Sequence, residues 1–190
     1  MSDTYYVKTF GGLEITNDNV TVNIVELFGK QLVNLLQVLL FHSEKPVQKD
    51  ELIDILWPES KNPSSALKFS IFRLRAELNE IEFFKDKEVI VTTRKGYILN
   101  PNLDWNIDFV ELEKAYNQIN DGSELLDEKE FKTARKIFRL YQGRFYASPS
   151  ELHWILQKQE IFRQMYVKTM MRTSCYLYTC LLYTSPSPRD

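Results

Sequence analysis

Between Asn62 and Leu78 the chain reads "NPSSALKFSIFRLRAEL". Leu67, Ile71, Leu74 and Leu78 fall at helical spacing and make one apolar seam. Pro63 suits a first helical position and Asn62 an N-cap, so the pattern predicts a helix over residues 63–79. The residues off the seam are unusual. Stepping about 100° per residue puts Phe69, Arg73 and Ala76 opposite the seam, with Lys68, Phe72 and Arg75 along one flank. Four cations (Lys61, Lys68, Arg73, Arg75) and no carboxylate lie between residues 61 and 75, whereas Asp50, Glu51, Asp54 and Glu59 precede them and Glu77, Glu80 and Glu82 follow. The net charge of −2 therefore hides one local basic face, and distribution matters more than the sum.

The flanking sequence predicts what this helix packs on. "YYVKTFGGLEITNDNVTVNIVEL" holds short β-rich runs around Gly11-Gly12 and the turn signal Asn17-Asp18-Asn19, which predicts two or three antiparallel strands. In "GKQLVNLLQVLLFHSEKP", Leu32, Leu35, Leu36, Leu39 and Leu40 define a helix with a broad buried stripe, ending before Pro46. "VQKDELIDILWP" predicts a shorter helix from Lys49 to Trp57, with Asp50 and Glu51 at the positive end of its dipole. "EVIVTTRKGYILN" predicts a hairpin turning at Arg94-Lys95, with Gly96 free to take a positive φ. Strands, three helices and a closing hairpin in that order are the winged helix-turn-helix arrangement.

After Pro101 the texture becomes helical. Asp108 and Glu111 look like a capping-box pair opening a helix. Its stripe is Phe109, Leu112, Tyr116 and Ile119, with Gly122 past its end. "EKEFKTARKIFRLYQG" is expected to bury Phe131, Ala134, Phe138 and Tyr141, and a third helix is expected after Pro149. The predicted organisation is thus a winged-helix domain over residues 1–103 and a helical domain over 104–174. The closing "CLLYTSPSPRD" reads as an adapter-derived tail, so residues 175–190 are set apart and the helical domain is expected to be incomplete.

"ELIDILWPES", "NPSSALKFSIFRLRAEL", "VTTRKGYILN" and "DFVELEKAY", in this order, resemble the SARP-type bacterial transcriptional regulators. These pair an OmpR/PhoB-like winged helix with a bacterial transcriptional activator domain (BTAD). "YQGRF", Trp154 and Arg163 resemble the later BTAD pattern. The resemblance spans most of residues 5–170. It implies an α+β winged helix-turn-helix domain followed by an all-α, TPR-like domain, acting as a cytoplasmic DNA-binding transcriptional regulator. It also implies direct-repeat DNA sites, a homodimer on DNA and recruitment of RNA polymerase. Two positions depart from the family pattern. Phe72 stands where a small or polar residue is usual, and Lys95 makes the wing tip more basic.

On this reading the helix over 63–79 enters a major groove and the hairpin over 89–99 meets a minor groove or backbone. Arg73 is the foremost base reader, since its planar fork matches two acceptors on guanine. Ser64, Ser65 and Lys68 lie towards the helix start, which points inward in such domains. Thr92, Thr93, Arg94 and Lys95 supply the wing contacts, and Gln48 and Lys49 face the backbone from the preceding helix. Arg75 stays open between DNA and an ion pair with Glu51 or Glu59. Phe69 and Phe72 are carried as interface residues, with at least one expected to pack on the first strands or the helical domain.

Other classes find little support. The chain has no glycine-rich phosphate loop, HExxH, CxxC or GxSxG motif, so no catalytic residue, metal or cofactor is expected. His42 and His153 have no partner motif. No apolar run reaches the ~20 residues of a membrane helix, the N-terminus is unlike a signal peptide, and the two cysteines form no disulfide framework. The rival class is a winged-helix protein-interaction module that does not bind DNA, anchored through Phe69 and Phe72.

Overall fold

A computed structural model describes residues 4–119, 126–147 and 152–184, which fold as two units. Residues 4–7 and 13–106 belong to the first; residues 8–12, 107–147 and the helix from His153 belong to the second. Gly122, expected past the end of a helix, and Pro149, expected before the start of another, lie outside the described residues.

The alternation of Thr4–Lys8 and Glu14–Asn17 sends Tyr5, Val7 and Ile15 inward and makes strands β1 and β2. Asp18 takes φ +51, so a two-residue turn returns the chain as β3, Val20–Asn23, with Asn17 opposite Val20. A further strand follows late in the unit, β6 over Asp104–Ile107, and completes a sheet of order β3-β2-β1-β6. The sequence border after residue 103 does not mark the end of this sheet. Strand β6 ("DWNI") is too short and polar to show itself by pattern; its place is set by the edge of β1. One helical turn, α1 (Ile24–Leu27), was also not anticipated; Asn23 caps it by accepting from the Val25 amide.

Helix α2 (Lys30–Phe41) holds the expected leucines, all buried, and also buries Val33, Asn34, Gln37 and Val38. It is enclosed on nearly every side, packing against α3 (Lys49–Leu56), α4 (Pro63–Asn79) and the hairpin. The seam Leu67, Ile71, Leu74 and Leu78 is buried as predicted. The cap differs from expectation. Asn62 has φ −132 and ψ 62 and makes no side-chain bond to the helix, while its own amide donates to Ser60 Oγ. Pro63 lowers the demand, because a proline at the first position presents no amide to satisfy. A 3-10 turn at Glu82–Phe84 leads to strands β4 (Ile90–Thr93) and β5 (Gly96–Leu99). Tyr5 stacks on Phe84 at 5.0 Å beneath the sheet.

The second unit contains α5 (Asp108–Ile119), α6 (Glu128–Leu140) and α7 (His153–Thr184). The Asp108–Glu111 capping box is not formed. The Asp108 carboxylate instead accepts from the Thr9 hydroxyl and from the amides of Thr9 (2.7 Å) and Phe10 (3.1 Å), while Glu111 pairs with Lys114 and Lys136. A buried segment brought by the fold outcompeted the local cap. The capping box occurs at α6, where Asp127 and Glu130 exchange bonds of 2.6 and 2.7 Å. Ala115 rather than Tyr116 completes the α5 stripe, and α6 buries Ala134 and Ile137 while Phe131, Phe138 and Tyr141 stay half-buried. Helix α7 continues through residues 175–184, into the stretch set apart as a tail, with Cys175 and Cys180 exposed. Among the described residues, no helix is long and apolar enough to cross a membrane.

Candidate nucleic-acid interface

With the α4 seam buried, the remaining face is presented to solvent. Ser64, Ser65, Lys68, Phe69, Phe72, Arg73 and Ala76 are all exposed. Phe69 and Phe72 are 61% and 70% accessible. Within the first unit this overturns the expectation that one of them packs on the first strands. The helix places them on the far side of the seam, where the first unit provides no cover.

The Arg73 side chain is 52% exposed, and Nη2 lies 3.2 Å from Glu77 one turn on. Such a pair on a helix surface is worth about 0.3–0.5 kcal/mol, so it orients the guanidinium without committing it. Arg75 is different. Its Nε and Nη2 donate to the Ile90 carbonyl at 3.1 and 2.8 Å, and Nη2 also donates to Thr92 Oγ1 at 2.8 Å. Neither Glu51 nor Glu59 is its partner. Arg75 ties α4 to β4 and is thereby drawn off the outward face.

The wing is a two-residue hairpin in which Thr93 pairs with Gly96. Arg94 and Lys95 stand exposed at its tip. The Thr93 hydroxyl is spent within the turn, donating to Gly96 O and accepting from the Lys95 amide. Thr92 is exposed, with Oγ1 holding Arg75. Gly96 has φ +145, and a Cβ there would meet the Val47 carbonyl oxygen at 1.8 Å. The close approach serves a bridge in which Val47 and Tyr97 exchange backbone bonds of 2.8 and 3.0 Å. The wing is thus fastened to the residue just before Gln48, the cap of α3, and Lys49, its first residue. Gln48 and Lys49 are both exposed.

Two grooves flank α4. One, of about 440 Å³, is lined by Lys30, Trp57, Phe69 and Arg73 among others. The second, of about 380 Å³, is lined by Phe72, Arg75, Ala76 and the stretch 87–89. Lys30 was not anticipated, because a lysine in a first helical turn looks like ordinary solvated surface in one dimension. Only the packing of α2 against α4 brings it to the groove that Arg73 also lines. Among the described residues, no cluster of His, Cys, Asp or Glu is arranged to hold a metal.

Residues 25–99 match the family model described as "Transcriptional regulatory protein, C terminal". The match runs from within α1 to the end of β5. Among solved structures, the chain is similar to Mycobacterium tuberculosis EmbR, solved in complex with a low-affinity phosphopeptide, at TM-score 0.64 and 17% identity, over 90% of this chain and 44% of that one. The chain thus spans less than half of that protein's length. The DNA-binding domain of E. coli CadC matches at 25% identity and TM-score 0.38, over 50% of this chain and 88% of that one. No curated protein matches. The family match and the fold likeness agree with a winged helix followed by a helical region.

Proposed function

We propose that this chain, which matches a transcriptional regulatory family model over residues 25–99, is a sequence-specific double-stranded DNA-binding regulator. Helix α4 docks in the major groove and the β4–β5 wing contacts the adjacent minor groove or backbone. The observation that carries the reading is the outward face of α4. Arg73 and Lys68 are exposed on it, and no carboxylate lies between residues 61 and 75. A guanidinium there can take two acceptors of a guanine. In this reading Lys49, Lys68, Arg94 and Lys95 contact phosphates, with Ser64, Ser65 and Gln48 as further donors to the DNA backbone. Thr92 and Thr93 support the wing through their hydroxyls, and Arg75 holds wing and helix in register. Direct-repeat sites, a homodimer on DNA and contact with RNA polymerase follow from the SARP resemblance and belong to this proposal. So do a cytoplasmic location and the lack of enzymatic activity.

The test is the salt dependence of binding to a site selected from random duplexes. Each neutralised phosphate contributes about −0.9 to the slope of log K against log salt. Lys49, Lys68, Arg94 and Lys95 together predict a slope near −4, on the order of one contact each. A partner protein gripped through Phe69 and Phe72 would give a much flatter response. Failure to enrich any duplex would sink the proposal.

A further inference from the structure

Two phenylalanines project from the face assigned to base readout, and they are among the most exposed large apolar side chains described, at 61% and 70%. The face around them is otherwise small or cationic: Ser65 and Ala76 at its ends, Arg73 beside Phe69, Lys68 beside Phe72. Phe69 and Phe72 are one short turn apart, so their Cβ atoms lie roughly 5–6 Å from each other. Phe69 borders the groove shared with Arg73, and Phe72 borders the groove on the opposite flank.

Charge decides what covers them. The surrounding cations need an anionic partner, and the apolar rings need an apolar one at the centre of the contact. The major groove offers both. Phosphates line its walls, and its floor carries one apolar group, the C5-methyl of thymine. The two rings leave the helix towards opposite flanks, so each meets its own part of that floor.

We propose that Phe69 and Phe72 are thymine readers. The site recognised by α4 contains two thymines, one on each side of the base taken by Arg73, and each ring covers one methyl group. This inference rests on the DNA-binding reading above and adds the chemistry of the sequence it selects.

The experiment uses the full chain and a duplex selected from random sequence, with thymines replaced singly by deoxyuridine. That exchange removes a methyl and leaves base pairing intact. At two positions the affinity should fall about fourfold, the factor for losing one buried methyl of ~0.8 kcal/mol. At other thymines it should be unchanged. Phe69→Ala and Phe72→Ala should each abolish sensitivity at one position, with melting temperatures unchanged, and Phe→Leu should retain part of it. If every thymine tolerates uridine while the selected duplex still binds, the inference fails and the DNA-binding reading stands. If the alanine variants keep full uridine sensitivity, the rings belong to another partner and the inference also fails. If no duplex is selected at all, both readings fall together.

Discussion

Arg73 and Arg75 are two residues apart on one helix, yet Arg75 is bonded to β4 while Arg73 stands exposed and is proposed as a base reader. Methionine at each position tests this, because it keeps the aliphatic stem and has nearly the helix propensity of arginine. In Arg75→Met the Ile90 carbonyl loses two donors and Thr92 Oγ1 loses a third bond. A charge-assisted bond of this kind contributes roughly 1.5–3 kcal/mol when buried. Arg75 is half-buried and borders an open groove, so water replaces part of the loss. The expected cost is therefore about 1–2 kcal/mol in urea unfolding. Arg73→Met removes only the exposed pair with Glu77, and its stability should stay within about 0.5 kcal/mol of the parent. Its affinity for a selected duplex should drop by about 1–3 kcal/mol, with preference relaxed at one base pair. Equal destabilisation by both variants would refute the assignment. So would a neutral Arg75→Met that nonetheless eliminated binding, since Arg75 would then be a reader.

Three further outcomes follow from the same geometry. Leu74, fully buried in the α4 seam, should cost ~2–5 kcal/mol on truncation to alanine, measured by chemical denaturation. Gly96→Ala drives a methyl into the Val47 carbonyl and strains a positive φ; it should destabilise by at least about 2 kcal/mol and weaken wing-dependent DNA contacts in footprinting. Burial holds the Asp108 carboxyl above its ordinary value, against the opposing bonds from Thr9, Phe10 and Phe109. A raised folded pKa favours the protonated form, so this group's contribution is full below the ordinary carboxyl value and is lost as pH rises through the raised one. Asp108→Asn keeps an acceptor and removes the charge, so the parent should lose stability relative to the variant across that window in pH-dependent melts. Parallel curves would show that Asp108 does not titrate there.

Much of the first unit was legible in one dimension because its signals are local. The α4 seam, the α2 leucines and the hairpin at Arg94-Lys95 each follow from spacing or a turn preference that needs no distant partner. The exposure of Lys68 and Arg73 was legible too, since a helix that buries one apolar seam turns the opposite face outward. Sequence alone could not tell whether Phe69 and Phe72 would find cover, because that depends on which elements surround the helix. Partner choice was decided in three dimensions. Arg75 found the Ile90 carbonyl rather than a carboxylate, Asp108 found Thr9 and Phe10 rather than a capping box with Glu111, and Lys30 came to line one groove with Arg73. Periodicity reports which way a side chain points; only the packed chain determines what it meets, because a hydrogen bond is settled within about 3 Å and residues far apart in sequence arrive there by the fold as a whole.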